Sequence, residues 1–188
     1  MTLFEFVSVM ISIVLGLSLT RSLVGVANLA RESRLVSTFA PHTIWVITLI
    51  LAHFLQWWAV WDLRAVEWNY ARFLVALAPP LMLFFATSLV FPGAPGGAVV
   101  DLEEYFFQIR RWLMLSYACL GIVWFLVGPI VFASEPFFNS YRLAQAVTAS
   151  APLVGLSTEN RRVHLFVAWA VLLVILSGSV FRFFPGVS

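Results

Sequence analysis

Long stretches without charged side chains run through this sequence, and they constrain the fold more than any other feature. Crossing about 30 Å of hydrocarbon takes roughly 20 helical residues. Four such spans are clear, at residues 42–61, 73–91, 112–133 and 163–181. Two less clear ones, at 3–21 and 137–156, contain charged residues and bring the predicted number to six. Only 11% of the side chains are charged, against roughly a quarter in soluble domains. The sequence therefore predicts an all-α integral membrane protein in which residues 1–188 form one helical bundle.

The fifth stretch is the least hydrophobic of the six. It contains Asn139, Arg142, Gln145 and Pro152. Five spans plus a re-entrant segment is therefore the alternative to six spans. Prolines inside the stretches predict several kinked helices, because a proline removes a backbone donor and clashes with the preceding turn.

A short amphipathic helix is predicted before the fourth span, at about residues 101–111. Asp101 and Glu104 have the spacing of a capping box. Aromatic and aliphatic side chains then recur on one side of the segment, as in helices that lie in the membrane interface.

Arginines set the predicted orientation, since the chain has no lysine. One set of loops carries six of them: Arg31, Arg34, Arg110, Arg111, Arg161 and Arg162. The opposite set carries four: Arg64, Arg72, Arg142 and Arg182. The positive-inside rule then places both termini outside the cytoplasm. The size and the lysine-free composition favour a multi-pass protein of a bacterial cytoplasmic membrane.

His53 is the most central titratable group of the predicted spans. It lies eleven residues after His42, which is about 16 Å along a helix. Gln56 and Trp57 follow at positions that share its face. Four more polar side chains are predicted at similar depth: Ser12, Tyr117, Gln145 and Thr148. These residues form either a proton-relay or ion-coordinating site, or a hydrogen-bonded clamp between helices.

Two further groups of charged residues are candidates for function. Glu5 and Arg142 lie near the outer interface, where they predict an ion pair or a gate. The other group is a cluster predicted to hold an anionic headgroup or ligand near a helix amino terminus: Arg110, Arg111, Asn160, Arg161, Arg162 and His164.

Ser8, Ser12, Gly16 and Thr20 repeat every four residues along the first span. Small residues at this spacing allow helix backbones to approach closely in membranes. The stripe predicts either a tight neighbour inside the bundle or the seam of a homo-oligomer.

Several classes of function do not fit the sequence. It has no nucleotide-binding loop, zincin motif, nucleophile elbow or catalytic carboxylate pair, so no enzymatic activity is predicted. One cysteine cannot build a multi-cysteine metal site, and the unequal depths of the histidines argue against haem. We therefore predict no metal and no cofactor. The arginines are too dispersed for a nucleic-acid surface.

The first functional hypothesis is a small oligomeric channel or transporter for protons, a cation or a small solute, surrounded by membrane lipids. The second is a non-catalytic scaffold, assembly or sensory subunit that contacts itself or a larger membrane partner. A haem- or quinone-binding membrane protein is a distant third.

Overall fold

A computed structural model describes residues 2–93, 99–131 and 140–183. Six α-helices account for most of these residues. Side chains are described for residues 2–93, 99–131 and 142–177. The helices are α1 (Leu3–Arg31), α2 (Ala40–Ala59), α3 (Tyr70–Val90), α4 (Leu102–Val131), α5 (Ser140–Leu156) and α6 (Arg161–Phe183). Short 3-10 turns follow α1 at Ser33–Leu35 and α2 at Val60–Ala65.

Four of the helical segments are long and apolar enough to cross a membrane. They are Leu3–Arg31, Ala40–Ala65, Tyr70–Val90 and Leu102–Val131. The second of these joins α2 to its 3-10 continuation. The six helices confirm the predicted all-α class, and the four long apolar segments support a multi-pass membrane protein. That α5 and α6 also cross, as six spans require, stays a prediction.

α1 and α4 are both longer than the apolar stretches that indicated them. α1 continues for ten residues beyond Arg21, whose side chain is exposed. α4 has 30 residues, so it is about 45 Å long and exceeds the hydrocarbon thickness. Its first turns include the segment that was predicted as an interfacial helix, so the two form one continuous helix.

A two-residue parallel strand pair, which the sequence did not indicate, links the loop before α2 to the start of α4. β1 (Val36–Ser37) pairs with β2 (Val100–Asp101). Asp101 also caps α4, because its Oδ1 accepts from the backbone N–H groups of Glu103 and Glu104 at 2.8 and 3.3 Å. Such caps satisfy donors that the first helical turn leaves unpaired.

α4 packs most extensively of all the helices, against α5 on one side and α3 on the other. α2 packs against α6 and α3, and α1 lies against α3 and α2. One narrow row of α1 is buried, made of Val7, Ile11, Leu15, Ser18 and Ser22. The rest of α1 presents large apolar side chains outward, which suits a helix surrounded by lipid or another helix.

Gly121 marks the closest approach of α4 and α5. A Cβ atom built on Gly121 would lie 2.4 Å from the backbone nitrogen of Ala149. Only glycine allows this contact. Prolines predicted to kink helices lie inside α3, α4 and α5.

Candidate functional site

His53 is buried in a polar network that joins three helices. Its Nδ1 is 2.7 Å from the carbonyl oxygen of Leu49, and its Nε2 is 2.6 Å from the hydroxyl of Ser18 on α1. The Ser18 hydroxyl also lies 3.3 Å from that of Thr87 on α3, which in turn is 3.4 Å from the hydroxyl of Ser22. Ser18, Ser22, His53 and Thr87 are all buried.

The donors in this network follow one order. A carbonyl oxygen can only accept, so Nδ1 of His53 carries the proton in the bond to Leu49. In a neutral imidazole Nε2 is then the acceptor, and the Ser18 hydroxyl donates to it. Thr87 is left to donate to Ser18, and Ser22 to Thr87. The result is a directed chain of Ser22, Thr87, Ser18, His53 and the Leu49 carbonyl.

This series of hydrogen bonds ends on the backbone carbonyl of Leu49, which cannot pass a proton onward. It satisfies every side chain that takes part, and it ties α1 and α3 to α2. The geometry of His53 therefore favours the clamp interpretation, while its role in proton relay stays a prediction. Sequence reasoning missed Ser18, Ser22 and Thr87, although the spacing of Ser18 and Ser22 places both on one face of α1.

Gln56 points to a different part of the bundle from His53. Its Oε1 accepts a hydrogen bond of 2.8 Å from the indole Nε1 of Trp124 on α4. Both side chains line a cavity of about 610 Å³ between α2, α3, α4, α5 and α6. The cavity also takes in Gln145 and Thr148 of α5. It therefore brings together three of the predicted midplane residues, and we name it the Gln56–Gln145 cavity.

Gln145 lines the cavity, but its side-chain oxygen is enclosed by protein atoms and does not open onto the cavity. Oε1 of Gln145 is buried and accepts no hydrogen bond. The Thr148 hydroxyl donates to the carbonyl of Ala144 at 3.0 Å. Ala76 and Pro79 of α3 form part of the opposite wall. Because Pro80 has no N–H, the carbonyl of Ala76 lacks its usual helical donor.

Asp62 and Arg64 are the charged side chains among the described lining residues. Both belong to the 3-10 turn at Val60–Ala65. The guanidinium of Arg64 lies over the ring of Trp61, 4.6 Å from its centroid, and donates to the Trp61 carbonyl at 3.3 Å. This end of the cavity therefore carries one charge of each sign.

The other predicted midplane residues lie apart from the cavity lining. The buried Tyr117 hydroxyl donates to the carbonyl of Trp45 at 3.0 Å. Ser12 is half-buried on α1. Trp57, expected to share the inward face with His53, is 51% exposed, so it faces outward from this chain.

Glu5 and Arg142 make local contacts at different places in the bundle. Glu5 completes a capping box with Thr2 at the start of α1. Arg142, which is buried, donates to the carbonyl of Phe125 and lies over its ring, 4.9 Å from the centroid. A Cβ atom on Gly128 would lie 2.7 Å from this guanidinium. Arg142 therefore ties α5 to α4, and an ion pair or gate with Glu5 stays a prediction.

The cluster predicted to bind an anion is assembled around the turn between α5 and α6. Arg110 donates to the Thr158 carbonyl at 2.7 Å and lies 3.3 Å from a carboxylate oxygen of Glu159. Arg161 forms an ion pair with Glu103. His164 also bonds the Thr158 carbonyl, at 2.9 Å.

Two of the cluster's arginines are thus partly neutralised within the chain. Arg111 and Arg162 are exposed, and the Asn160 side chain accepts from the backbone N–H of Arg162 at 2.9 Å. Anion binding by this cluster stays a prediction. Sequence reasoning missed the two acidic partners, Glu103 and Glu159.

All three histidines bond backbone carbonyls. His42 uses Nε2 to reach the carbonyl of Val90 at 2.8 Å, and His53 and His164 bond Leu49 and Thr158 as above. Within the described ranges, no three His, Cys, Asp or Glu side chains are grouped closely enough to hold a metal ion.

The stripe of small residues on α1 lies beside the buried row rather than in it. Ser8, Ser12 and Gly16 are half-buried and Thr20 is exposed. A Cβ atom on Gly16 would meet no atom within 4 Å. The stripe therefore makes no tight contact at Gly16 inside this chain, and its use by a second copy stays a prediction.

No protein-family model, curated protein or solved structure matches this chain. The cavity and the hydrogen-bonded chain are therefore the basis for a functional proposal.

Proposed function

We propose that this chain is a small oligomeric transporter or channel of a bacterial cytoplasmic membrane, with six crossings and both termini outside the cytoplasm. Its substrate is a small solute or ion that occupies the Gln56–Gln145 cavity. The observation that carries the proposal is the cavity itself, which gathers Gln56, Gln145 and Thr148 from two helices. Polar side chains around a cavity within a membrane bundle are typical of substrate pathways.

A flux assay in liposomes tests this proposal. Proton and potassium entry are followed with entrapped indicators, and entry of neutral solutes is followed by osmotic swelling. We expect flux above that of empty liposomes for at least one species. The double variant Gln56→Leu, Gln145→Leu should lower it about tenfold or more, since each lost hydrogen bond contributes about 1 kcal/mol.

Ser150→Ala is the matched control for the double variant. Ser150 lies on α5 like Gln145, but it is exposed and bonds its own helix, at the carbonyl of Ala146, 2.8 Å away. Its flux should equal that of the wild type. Flux equal to empty liposomes for every species would contradict the proposal.

His53→Leu separates the cavity from the hydrogen-bonded chain as the route for protons. An imidazole normally titrates between about pH 5 and pH 8. If proton flux in that range falls in His53→Leu but not in the double cavity variant, conduction runs through His53 and not through the cavity.

A non-catalytic scaffold or sensory subunit is the second candidate function. The observation that favours it is the outward face of α1, where Leu17, Leu23 and Val24 are each more than half exposed. Such a face suits contact with a second copy or with a larger membrane protein. An absence of flux in the assay above would favour this candidate.

A further inference from the structure

We propose that a groove between α5 and α6 holds one acyl chain of an anionic phospholipid, with the phosphate of the headgroup bound by Arg162. The groove has a volume of about 320 Å³, and we name it the α5–α6 groove. This inference goes beyond the proposed function and shares with it only the assignment of α6 as a crossing. Within the described residues, the groove has no lining residue in common with the Gln56–Gln145 cavity.

The groove opens on the outside of the helix bundle. Its lining includes Ala151 of α5 and Ala170 of α6, and these short side chains leave space between the two helices. Val167 is buried, whereas Val154 and Phe166 are 53% and 75% exposed. The lining therefore extends from the buried surface of α6 to side chains that the surrounding lipid can reach.

The length and the composition of the groove suit an acyl chain. Apart from Arg162, the described lining consists of alanine, valine and phenylalanine. Arg162, Phe166 and Ala170 are four residues apart, so they share one face of α6. Ala170 lies eight residues after Arg162, which is about 12 Å along a helix. Half of the hydrocarbon core is about 15 Å thick. The groove therefore matches the depth of one leaflet, with Arg162 at the headgroup end.

The charges around this end leave Arg162 without an acidic partner among the described residues. Arg110 lies 3.3 Å from a carboxylate oxygen of Glu159, and Arg161 pairs with Glu103. In the part of the chain that the structure describes, the exposed guanidinium of Arg162 forms neither an ion pair nor a hydrogen bond. Because α6 begins at Arg161, the partial positive charge of its amino terminus adds to that of Arg162. The headgroup end therefore carries a net positive charge.

An anionic phospholipid matches both parts of this site. A guanidinium binds a phosphate through two parallel hydrogen bonds, and basic pockets between membrane helices bind anionic lipid headgroups. The apolar lining contacts the attached acyl chain. A free phosphate would lack that contact, and a zwitterionic headgroup carries no net negative charge for Arg162 to attract.

Phosphatidylglycerol and phosphatidylcholine with identical acyl chains test the inference. Native mass spectrometry of the full chain in detergent gives the dissociation constant of the first lipid that binds. We expect the wild type to bind phosphatidylglycerol more tightly than phosphatidylcholine. Arg162→Gln should weaken phosphatidylglycerol binding about fivefold, which is the effect of one basic side chain near an anionic headgroup. It should leave phosphatidylcholine binding unchanged.

Matched controls accompany the variants of the groove. Arg111→Gln removes another exposed arginine, outside the described lining, and should bind phosphatidylglycerol as the wild type does. Ala170→Phe places a ring in the groove and should weaken phosphatidylglycerol binding. Leu173→Phe places the same ring at a position of α6 that is 57% exposed and outside the described lining, and it should leave that binding unchanged.

Four results would overturn the inference. They are equal binding of the two lipids by the wild type, equal losses in Arg162→Gln and Arg111→Gln, equal effects of Ala170→Phe and Leu173→Phe, and a dimer that Ala170→Phe dissociates. The last result, seen by gel filtration, would assign the groove to a second copy of the chain. Arg162→Gln changes an exposed side chain, so it decides the test if Ala170→Phe does not fold. Flux with equal binding of the two lipids would contradict only this inference, whereas lipid preference without flux would contradict only transport.

Discussion

At the scale of single residues, Ser18 and His53 face each other across the contact between α1 and α2. Their hydrogen bond of 2.6 Å is the strongest candidate for a polar contact that stabilises the bundle. Ser18→Ala should lower the free energy of unfolding by about 1 kcal/mol, because the buried Nε2 of His53 loses its donor. The measurement is unfolding in mixed micelles titrated with SDS.

Ser88→Ala provides the comparison for Ser18→Ala. The Ser88 hydroxyl bonds the carbonyl of Phe84 in its own helix, at 2.9 Å, so its removal breaks no contact between helices. Its effect should stay within about 0.5 kcal/mol. Equal effects of the two variants would mean that the chain from Ser22 to His53 contributes nothing to holding the helices together.

The sequence indicated the burial of His53 and Gln56 but not their partners. Helical periodicity places both residues on one side of α2, and their polarity favours the interior. It does not define how far the neighbouring helices are rotated or shifted along their axes. For that reason Ser18, rather than Ser12, meets His53, Thr87 meets Ser18, and Trp124 meets Gln56. Trp57 is half exposed, since periodicity alone does not define where the buried face of α2 ends.

At the scale of helices, the α4–α5 contact depends on the missing side chain of Gly121. Gly121→Ala should destabilise the protein by about 1–3 kcal/mol, because the added methyl group meets the backbone of Ala149 and forces the helices apart. SDS titration measures the change.

Gly16→Ala is the same substitution at an open position of α1. The new Cβ atom meets nothing within 4 Å, and alanine is the better helix former by about 1 kcal/mol. We therefore expect a neutral or stabilising effect. Destabilisation by both variants to the same extent would contradict the assignment of Gly121 as the site of close helix approach.

Helices were easier to predict than their ends. Absence of charge located α2, α3, α4 and α6, because charged side chains are costly in hydrocarbon. α1 and α5 were located by their apolar content although they contain charged residues. Arg21 marked the end of the first apolar stretch, yet α1 continues to Arg31. The side chain of Arg21 is exposed, so α1 continues past Arg21 without burying its charge. The two-residue strand pair had no sequence signal, since each strand is too short to show alternation.

At the scale of the whole molecule, the predicted orientation depends on one set of loops carrying six arginines and the opposite set four. The loop between α1 and α2 belongs to the arginine-rich set. The ion pairs of Arg110 with Glu159 and Arg161 with Glu103 do not alter this count, because the positive-inside rule counts basic residues and gives acidic ones little weight. The loop between α1 and α2 should therefore be cytoplasmic, and the loop between α2 and α3 should lie outside.

Single cysteines in these two loops test that orientation. In a Cys119→Ala background, Ser33→Cys and Glu67→Cys each introduce one thiol at an exposed position. A membrane-impermeant maleimide should label Glu67→Cys in intact spheroplasts, and Ser33→Cys only after permeabilisation. The reversed pattern would invert the orientation but keep α2 as a span. Labelling of both before permeabilisation would show that the segment Ala40–Ala65 does not cross, because its two ends would then lie on one side of the membrane.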